Sequence, residues 1–130
     1  MSVPGKGFVP GRHLIEAYGA GGFRFAGMSH VGSILATPMG VGAVEALVPQ
    51  DIVAGLLAPL FAELAASPKC VEIVIVGTGE RMAALSPSFK ARLRAEGLRF
   101  EAMATGPASR VYNIMLGENR RVAALLLAAQ

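Results

Sequence analysis

The residue types that can do chemistry gather in the last third of the chain. They lie in Met103-Ala-Thr105-Gly106-Pro107-Ala108-Ser109-Arg110-Val111-Tyr112-Asn113 and in Glu118-Asn119-Arg120-Arg121-Val122. Arg110 and Asn113 are three residues apart, so on a helix they occupy neighbouring parts of one face. A helix opening at Thr105-Gly106-Pro107 would set its free N–H groups and partial positive charge nearby. Such a group of donors suits a carboxylate or a phosphate. The structural alternative pairs Arg110 with Glu118 or Glu80 and bonds Asn113 to local backbone. Glu118 to Arg121 reads as a turn, because Asn119 tolerates the left-handed conformation. Arg120 and Arg121 then form either a salt-bridged turn or a basic knob facing a partner.

A second candidate is Gly77-Thr78-Gly79, which follows the β-branched run ending at Val76. It invites a dinucleotide reading, but Met82 stands where the third glycine would be and the next helix signal, Ser86-Pro87, comes late. The Gly-Lys-Ser/Thr ending of a phosphate loop is also missing. A strand-to-helix turn, or a backbone nest for a small anion, fits these residues better. No cofactor is expected.

Catalytic patterns are weak. His13 and His30 are the only histidines, and both fall in expected strands without a motif partner. The only aspartate, Asp51, reads as a helix cap, and no Gly-x-Ser-x-Gly elbow occurs. Cys70 precedes a buried strand and reads as a small core residue. Neither a catalytic residue nor a metal site is expected. The basic run Lys90, Arg92, Arg94, Arg99 lacks the aromatic residues of an RNA-binding surface, so it reads as a solvated face rather than a nucleic-acid site.

The elements that must position these groups follow from periodicity and punctuation. His13–Tyr18 and Phe23–Ala26 flank a glycine-rich turn and predict a hairpin. Val31–Thr37 predicts a third strand stopped by Pro38, and Val41–Val48 a short fourth. Asp51 is expected to cap an apolar helix through about Ala66, kinked or broken at Pro59. Val71–Val76 predicts a strand covered on both faces. Ser86 as N-cap, Pro87 at the first helical position and Gly97 at the end bound the next helix. Arg99–Ala104 predicts a strand. Ala108, Val111, Tyr112 and Met115 mark the apolar stripe of the following helix. Val122–Leu127 predicts a buried final strand.

This order predicts an α/β fold: one compact layered domain, with a mixed central β-sheet flanked by helices and an additional N-terminal β-hairpin. A right-handed crossover makes 71–76 and 99–104 parallel. Their carboxyl ends then share one edge, where ligands of open α/β sheets usually sit. The candidate ligand or partner residues are therefore Gly77, Thr78, Gly79, Thr105, Arg110, Asn113, Glu118, Arg120 and Arg121. Residues 1–12 read as a loose arm and 13–130 as the single domain.

Composition narrows the setting. The 130 residues are 53% hydrophobic and only 16% charged, against a usual charged share of about 25%. So thin a charge cover favours burying one face in a partner, a second copy included. The net charge of +3 is uneven: four Lys/Arg and six Asp/Glu in residues 1–80, eight and three in 81–130. The single cysteine excludes an internal disulfide and fits a reducing compartment. Residues 25–44 lack Asp, Glu, Lys and Arg, but His30, Pro38 and several glycines spoil a membrane span. No signal peptide is evident. A cytoplasmic location is expected, peripheral contact with the inner membrane being compatible with it.

Taken together, Tyr18-Gly-x-Gly-Gly-Phe-Arg-Phe25, Val71-Glu-Ile with Gly77-Thr-Gly79, and Met103-x-Thr105 with Ala108, Arg110, Tyr112-Asn113, Glu118 and Arg120-Arg121-Val122 resemble one family. Its eukaryotic member is a mitochondrial respiratory complex I (NADH dehydrogenase) assembly factor, and its bacterial and archaeal members have no defined function. The resemblance runs from about Ile15 to Leu127. It implies a compact α/β fold and a non-catalytic assembly or interaction role, with respiratory-complex subunits or assembly proteins as partners. The alternative is a small anionic-ligand-binding protein or enzyme using the sheet edge. Ser109 stands where the family often has cysteine and Val111 where it often has threonine, so thiol chemistry on that helix is excluded here. Asn119 replaces a common glycine.

Overall fold

The protein is described by a computed structural model covering residues 8–130. A six-stranded mixed sheet forms its centre. The strands are β1 (Val9–Pro10), β5 (Ser33–Thr37), β6 (Gly40–Val44), β7 (Ile73–Gly77), β8 (Arg99–Met103) and β9 (Val122–Leu126), in the order β1-β6-β5-β9-β7-β8. A separate three-stranded antiparallel sheet holds β2 (Ala17–Gly19), β3 (Gly22–Phe25) and β4 (Met28–Val31). The helices are α1 (Ala58–Ala66), α2 (Pro87–Ala95) and α3 (Thr105–Gly117).

The C-terminal half follows the expected β-α-β-α-β order. β7 is parallel to both β8 and β9, and β5 closes on β9 antiparallel, which makes the sheet mixed. Alternation across the pleat feeds two cores. Ile73, Ile75, Val122, Ala124, Leu126, Ile34 and Ala36 pack on one face with Ala108, Tyr112, Phe23 and Phe25. Val74, Val76, Ala123, Leu125 and Leu35 pack on the other with Leu60, Leu64, Phe89 and Leu93. Helices α1 and α2 thus cover one side of the sheet, and α3 with the small sheet covers the other. Helix α2 is bounded as its sequence implies: Ser86 Oγ accepts the Phe89 N–H at 3.2 Å, and Gly97 at φ +77° ends it.

Three elements differ from expectation. The strand expected over 31–37 is two strands broken at Gly32, whose φ of +101° turns the chain from the small sheet into the large one. Asp51 does not cap a long helix. Its carboxylate turns back and accepts the Leu47 and Val48 N–H groups at 2.9 and 3.2 Å, and these bonds hold it below the ordinary aspartate pKa. Two short 3-10 turns follow, and the α-helix starts only at Ala58, so Pro59 sits in the first turn rather than kinking the middle. Proline is tolerated there because the N–H it lacks has no intrahelical partner in that turn. His13 precedes β2 rather than lying in a strand. Of the expected arm, residues 1–7 lie outside the described residues, while Val9 and Pro10 pair with Val41 and Gly40.

Candidate functional site

The carboxyl ends of β7 and β8 lie side by side, and the two glycine-bearing turns meet there. Thr105 is fully buried at the start of α3. Its Oγ1 accepts the Gly79 N–H at 2.9 Å and donates to the Leu127 carbonyl at 2.7 Å. In return the Thr105 N–H donates to the Gly79 carbonyl at 2.8 Å. The Thr78 N–H donates to Met103 O at 2.9 Å, and its Oγ1 donates to Arg81 O at 2.6 Å and accepts the Ala83 N–H at 3.0 Å. Every donor that a backbone nest would aim at an anion from Thr78 and Gly79 is therefore bonded within the protein. Gly77 has a different task. A Cβ there would stand 2.9 Å from a Leu126 methyl, 3.0 Å from Thr105 Oγ1 and 3.1 Å from Ala108 Cβ. Its hydrogen lets α3 settle onto β7 and β9.

Asn113 is a clasp between distant parts of the chain. Its Oδ1 accepts the Ile15 N–H and its Nδ2 donates to the Ile15 carbonyl, both at 2.8 Å. That pair ties the segment entering β2 to α3. Ser109, also buried, donates back to the Thr105 carbonyl at 2.9 Å. Arg110 projects into solvent from the same helix and pairs with neither Glu118 nor Glu80. The Glu80 carboxylate instead accepts the Gln130 N–H at 2.7 Å. Arg110 lines an open depression of about 360 Å³ with Tyr18, Gly106 and Asn113. The Tyr18 hydroxyl rests over Gly106, where a side chain would collide with it.

Arg120 and Arg121 lie at the opposite end of the sheet, just before β9. With Arg99 they converge on Glu72, at 3.6, 3.9 and 3.3 Å respectively. Arg121 also donates to Lys69 O at 3.0 Å. Glu118 is exposed at the end of α3, and Asn119 takes the left-handed conformation at φ +61°. The nine candidate residues thus divide between the carboxyl edge, the outer face of α3 and the amino edge. Sequence reading missed Glu72 as the hub of the arginines, and its signal was a lone acid inside an apolar β-branched run. It also missed Tyr18 as the cover of the α3 start; the small Gly106 was the only local clue.

Tyr112, 1% exposed within α3, has its phenol pushed up to about 12 by burial, against a small opposing effect of Arg12. The neutral ring is favoured in the fold, so its contribution to stability is complete below pH 10 and is lost as pH rises from 10 towards 12. We expect about 3 kcal/mol of stability to disappear over that window, at 1.36 kcal/mol for each pKa unit. Urea unfolding of the wild type and of Tyr112→Phe at pH 9 to 12 checks this; the variant should show the shallower fall. Burial, helped by the Glu63 charge, also raises the Cys70 thiol, which disfavours the nucleophilic thiolate. Among the described residues no three His, Cys, Asp or Glu side chains gather to hold a metal ion. No helix there is long and apolar enough to cross a membrane.

The fold defines a class of small α/β domain in which the sheet edge and the α3 start are locked together by backbone and threonine hydrogen bonds. The chain belongs to the protein family of unknown function DUF498/DUF598, whose family model matches residues 15–127. It is 36% identical over 113 residues to an uncharacterised protein of Rhodobacter capsulatus, covering 87% of this chain and 82% of that one. It is 33% identical over 117 residues to NADH dehydrogenase [ubiquinone] 1 alpha subcomplex assembly factor 3 of Xenopus tropicalis, covering 90% of this chain and 62% of the factor. Among solved structures it superposes on an outer membrane protein from Bartonella henselae with a TM-score of 0.81 and 36% identity, over 93% of this chain and 98% of that one.

Proposed function

We propose that the protein is a non-catalytic interaction protein of the assembly-factor kind, working by contact with other proteins. Kinship with the Xenopus assembly factor gives the class of partner: subunits of an NADH dehydrogenase or the proteins that assemble it. The observation that carries the reading is the contrast at the carboxyl edge. The polar groups of Thr78, Gly79 and Thr105 are spent on the fold, while the depression beside them is rimmed by Leu47, Val48 and Met82, which are 73%, 47% and 63% exposed. An apolar rim around a polar-satisfied floor suits a protein surface better than a small anion. Glu80 and Arg81, which also line the depression, would supply charged contacts at its borders. On this reading the protein acts in the cytoplasm or at the inner face of the membrane that carries such a complex.

Affinity capture of the native-level protein, with Leu47→Asp/Met82→Asp as the control bait, tests this directly. Respiratory-complex subunits or their assembly proteins should be enriched with the wild type and lost with the control, and a deletion strain should respire more slowly on NADH-linked substrates. Absence of those subunits together with unchanged respiration would overturn the reading.

A further inference from the structure

The outer edge of β8 carries information that the proposed function does not use. Among the described residues β8 is the terminal strand of the large sheet, paired only with β7. The Arg99 N–H donates to Glu72 O at 3.1 Å, and Met103 O accepts the Thr78 N–H at 2.9 Å. Residues 99, 101 and 103 therefore turn their backbone groups inward to β7. By the alternation of a strand, Phe100 and Ala102 present theirs outward; just before β8 the Leu98 N–H is already bonded to Leu93 O at 3.0 Å, which leaves only its carbonyl. Edges of this kind are commonly blunted by proline, charged side chains or a bulge; β8 has no proline and no bulge, and its two exposed charges, Arg99 and Glu101, are of opposite sign.

The sequence of the edge is self-complementary. In an antiparallel pairing with a second copy centred on Phe100, the outward groups of Phe100 meet those of the partner's Phe100. Leu98 meets the partner's Ala102, where the Leu98 carbonyl would accept the partner's Ala102 N–H; the Leu98 N–H stays on Leu93 O. The intervening non-hydrogen-bonded positions then set Arg99 opposite the partner's Glu101, and Glu101 opposite the partner's Arg99. The next register, centred on Glu101, would still join outward groups, Phe100 with the partner's Ala102, but would place two carboxylates face to face. Local charge favours the first register as well. Arg99, Arg120 and Arg121 share the single carboxylate of Glu72, whereas Glu101 is exposed and has no ion pair among the described residues. The partner's Glu101 would bring a second carboxylate to that cation-rich corner.

We propose that β8 is a homodimer interface, in which two copies related by a two-fold axis join their large sheets edge to edge through Arg99–Glu101 pairs on either side of Phe100. This is the closed, isologous arrangement a two-fold axis requires. Opposite charges directly across a strand pair attract and like charges repel.

Sedimentation equilibrium of the full chain, from micromolar to near-millimolar concentration, should give a reversible dimer. Glu101→Arg or Arg99→Glu alone should weaken it by roughly tenfold to a hundredfold, because each single change sets like charges across both positions. Mixing the two single variants should restore association as a heterodimer, since one strand then presents two cations to two carboxylates. The double variant Arg99→Glu/Glu101→Arg should recover the homodimer. Ala102→Pro removes an outward N–H without touching the β7 pairing and should abolish the dimer while circular dichroism stays native. A monomer at every concentration, or a dimer indifferent to the charge variants and their mixture, overturns the proposal. The charge variants decide it even if the proline variant does not fold.

Discussion

Thr105→Val is expected to cost about 3 kcal/mol of folding stability, although it exchanges a hydroxyl for a methyl of nearly the same size. Thr105 is 0% exposed, and its Oγ1 is the partner of two other buried groups, the Gly79 N–H at 2.9 Å and the Leu127 carbonyl at 2.7 Å. A methyl satisfies neither. Each orphaned buried group costs about 1–3 kcal/mol, more than the bond itself contributes. The total corresponds to a melting temperature lower by about 10 °C for a domain of this size. Thr105→Ser keeps the hydroxyl and loses only a buried methyl, so about 1 kcal/mol is expected. Urea denaturation of the three proteins separates these values. Amide hydrogen exchange should show the Gly79 N–H deprotected in the valine variant and protected in the serine variant. Equal losses in the two would mean that packing, not the bond pair, fixes the joint.

The same threonine shows where sequence reading succeeds and where it stops. The parallel strands 73–77 and 99–103, and the helix after them, were legible because their signals are local. β-branched runs, Ser86-Pro87, Gly97 and the i, i+3, i+4 stripe through Tyr112 each need only a few neighbouring residues. Parallel polarity then brought Gly79 to Thr105 by topology alone. What those groups do was not legible, because their partners lie far away in sequence. Asn113 spends both ends of its amide on Ile15, 98 positions earlier. Glu72 gathers arginines from β8 and from the turn before β9. The misplaced start of α1 has a local cause. An acidic residue ahead of an apolar run reads as a cap, yet Asp51 accepts from Leu47 and Val48 behind it, and only Pro59 marked the first turn of the helix. The break at Gly32 escaped because a glycine inside an apolar run is as compatible with a continuous strand as with a corner. The candidate residues themselves were recognisable by type, but their division between two ends of the sheet depends on which strand end each one follows.

Gly77→Ala should be the other costly change, about 3 kcal/mol, at the upper end of what one added methyl does to a packed core. The reason is the number of rigid neighbours. The new Cβ would stand 2.9 Å from Leu126, 3.0 Å from Thr105 Oγ1 and 3.1 Å from Ala108 Cβ, all in buried residues. None is the free end of a flexible surface side chain. Relief requires α3 to lift from β7 and β9, which would also stretch the two bonds made by Thr105. Gly79→Ala offers the contrast. Nothing lies within 4 Å of a Cβ there, and the obstacle is its φ of +104°, a conformation that costs a residue with a side chain of order 1–3 kcal/mol. The two losses should differ in kind. In Gly77→Ala the disturbance should reach the Ala108 and Tyr112 signals of α3 in a two-dimensional NMR spectrum. In Gly79→Ala it should stay within the turn from Thr78 to Ala83. A glycine pair that reads like a phosphate loop is then explained by packing at its first position and by backbone conformation at its second. If instead Gly77→Ala proved neutral while abolishing the binding of an added anion, the first glycine would belong to a ligand site after all.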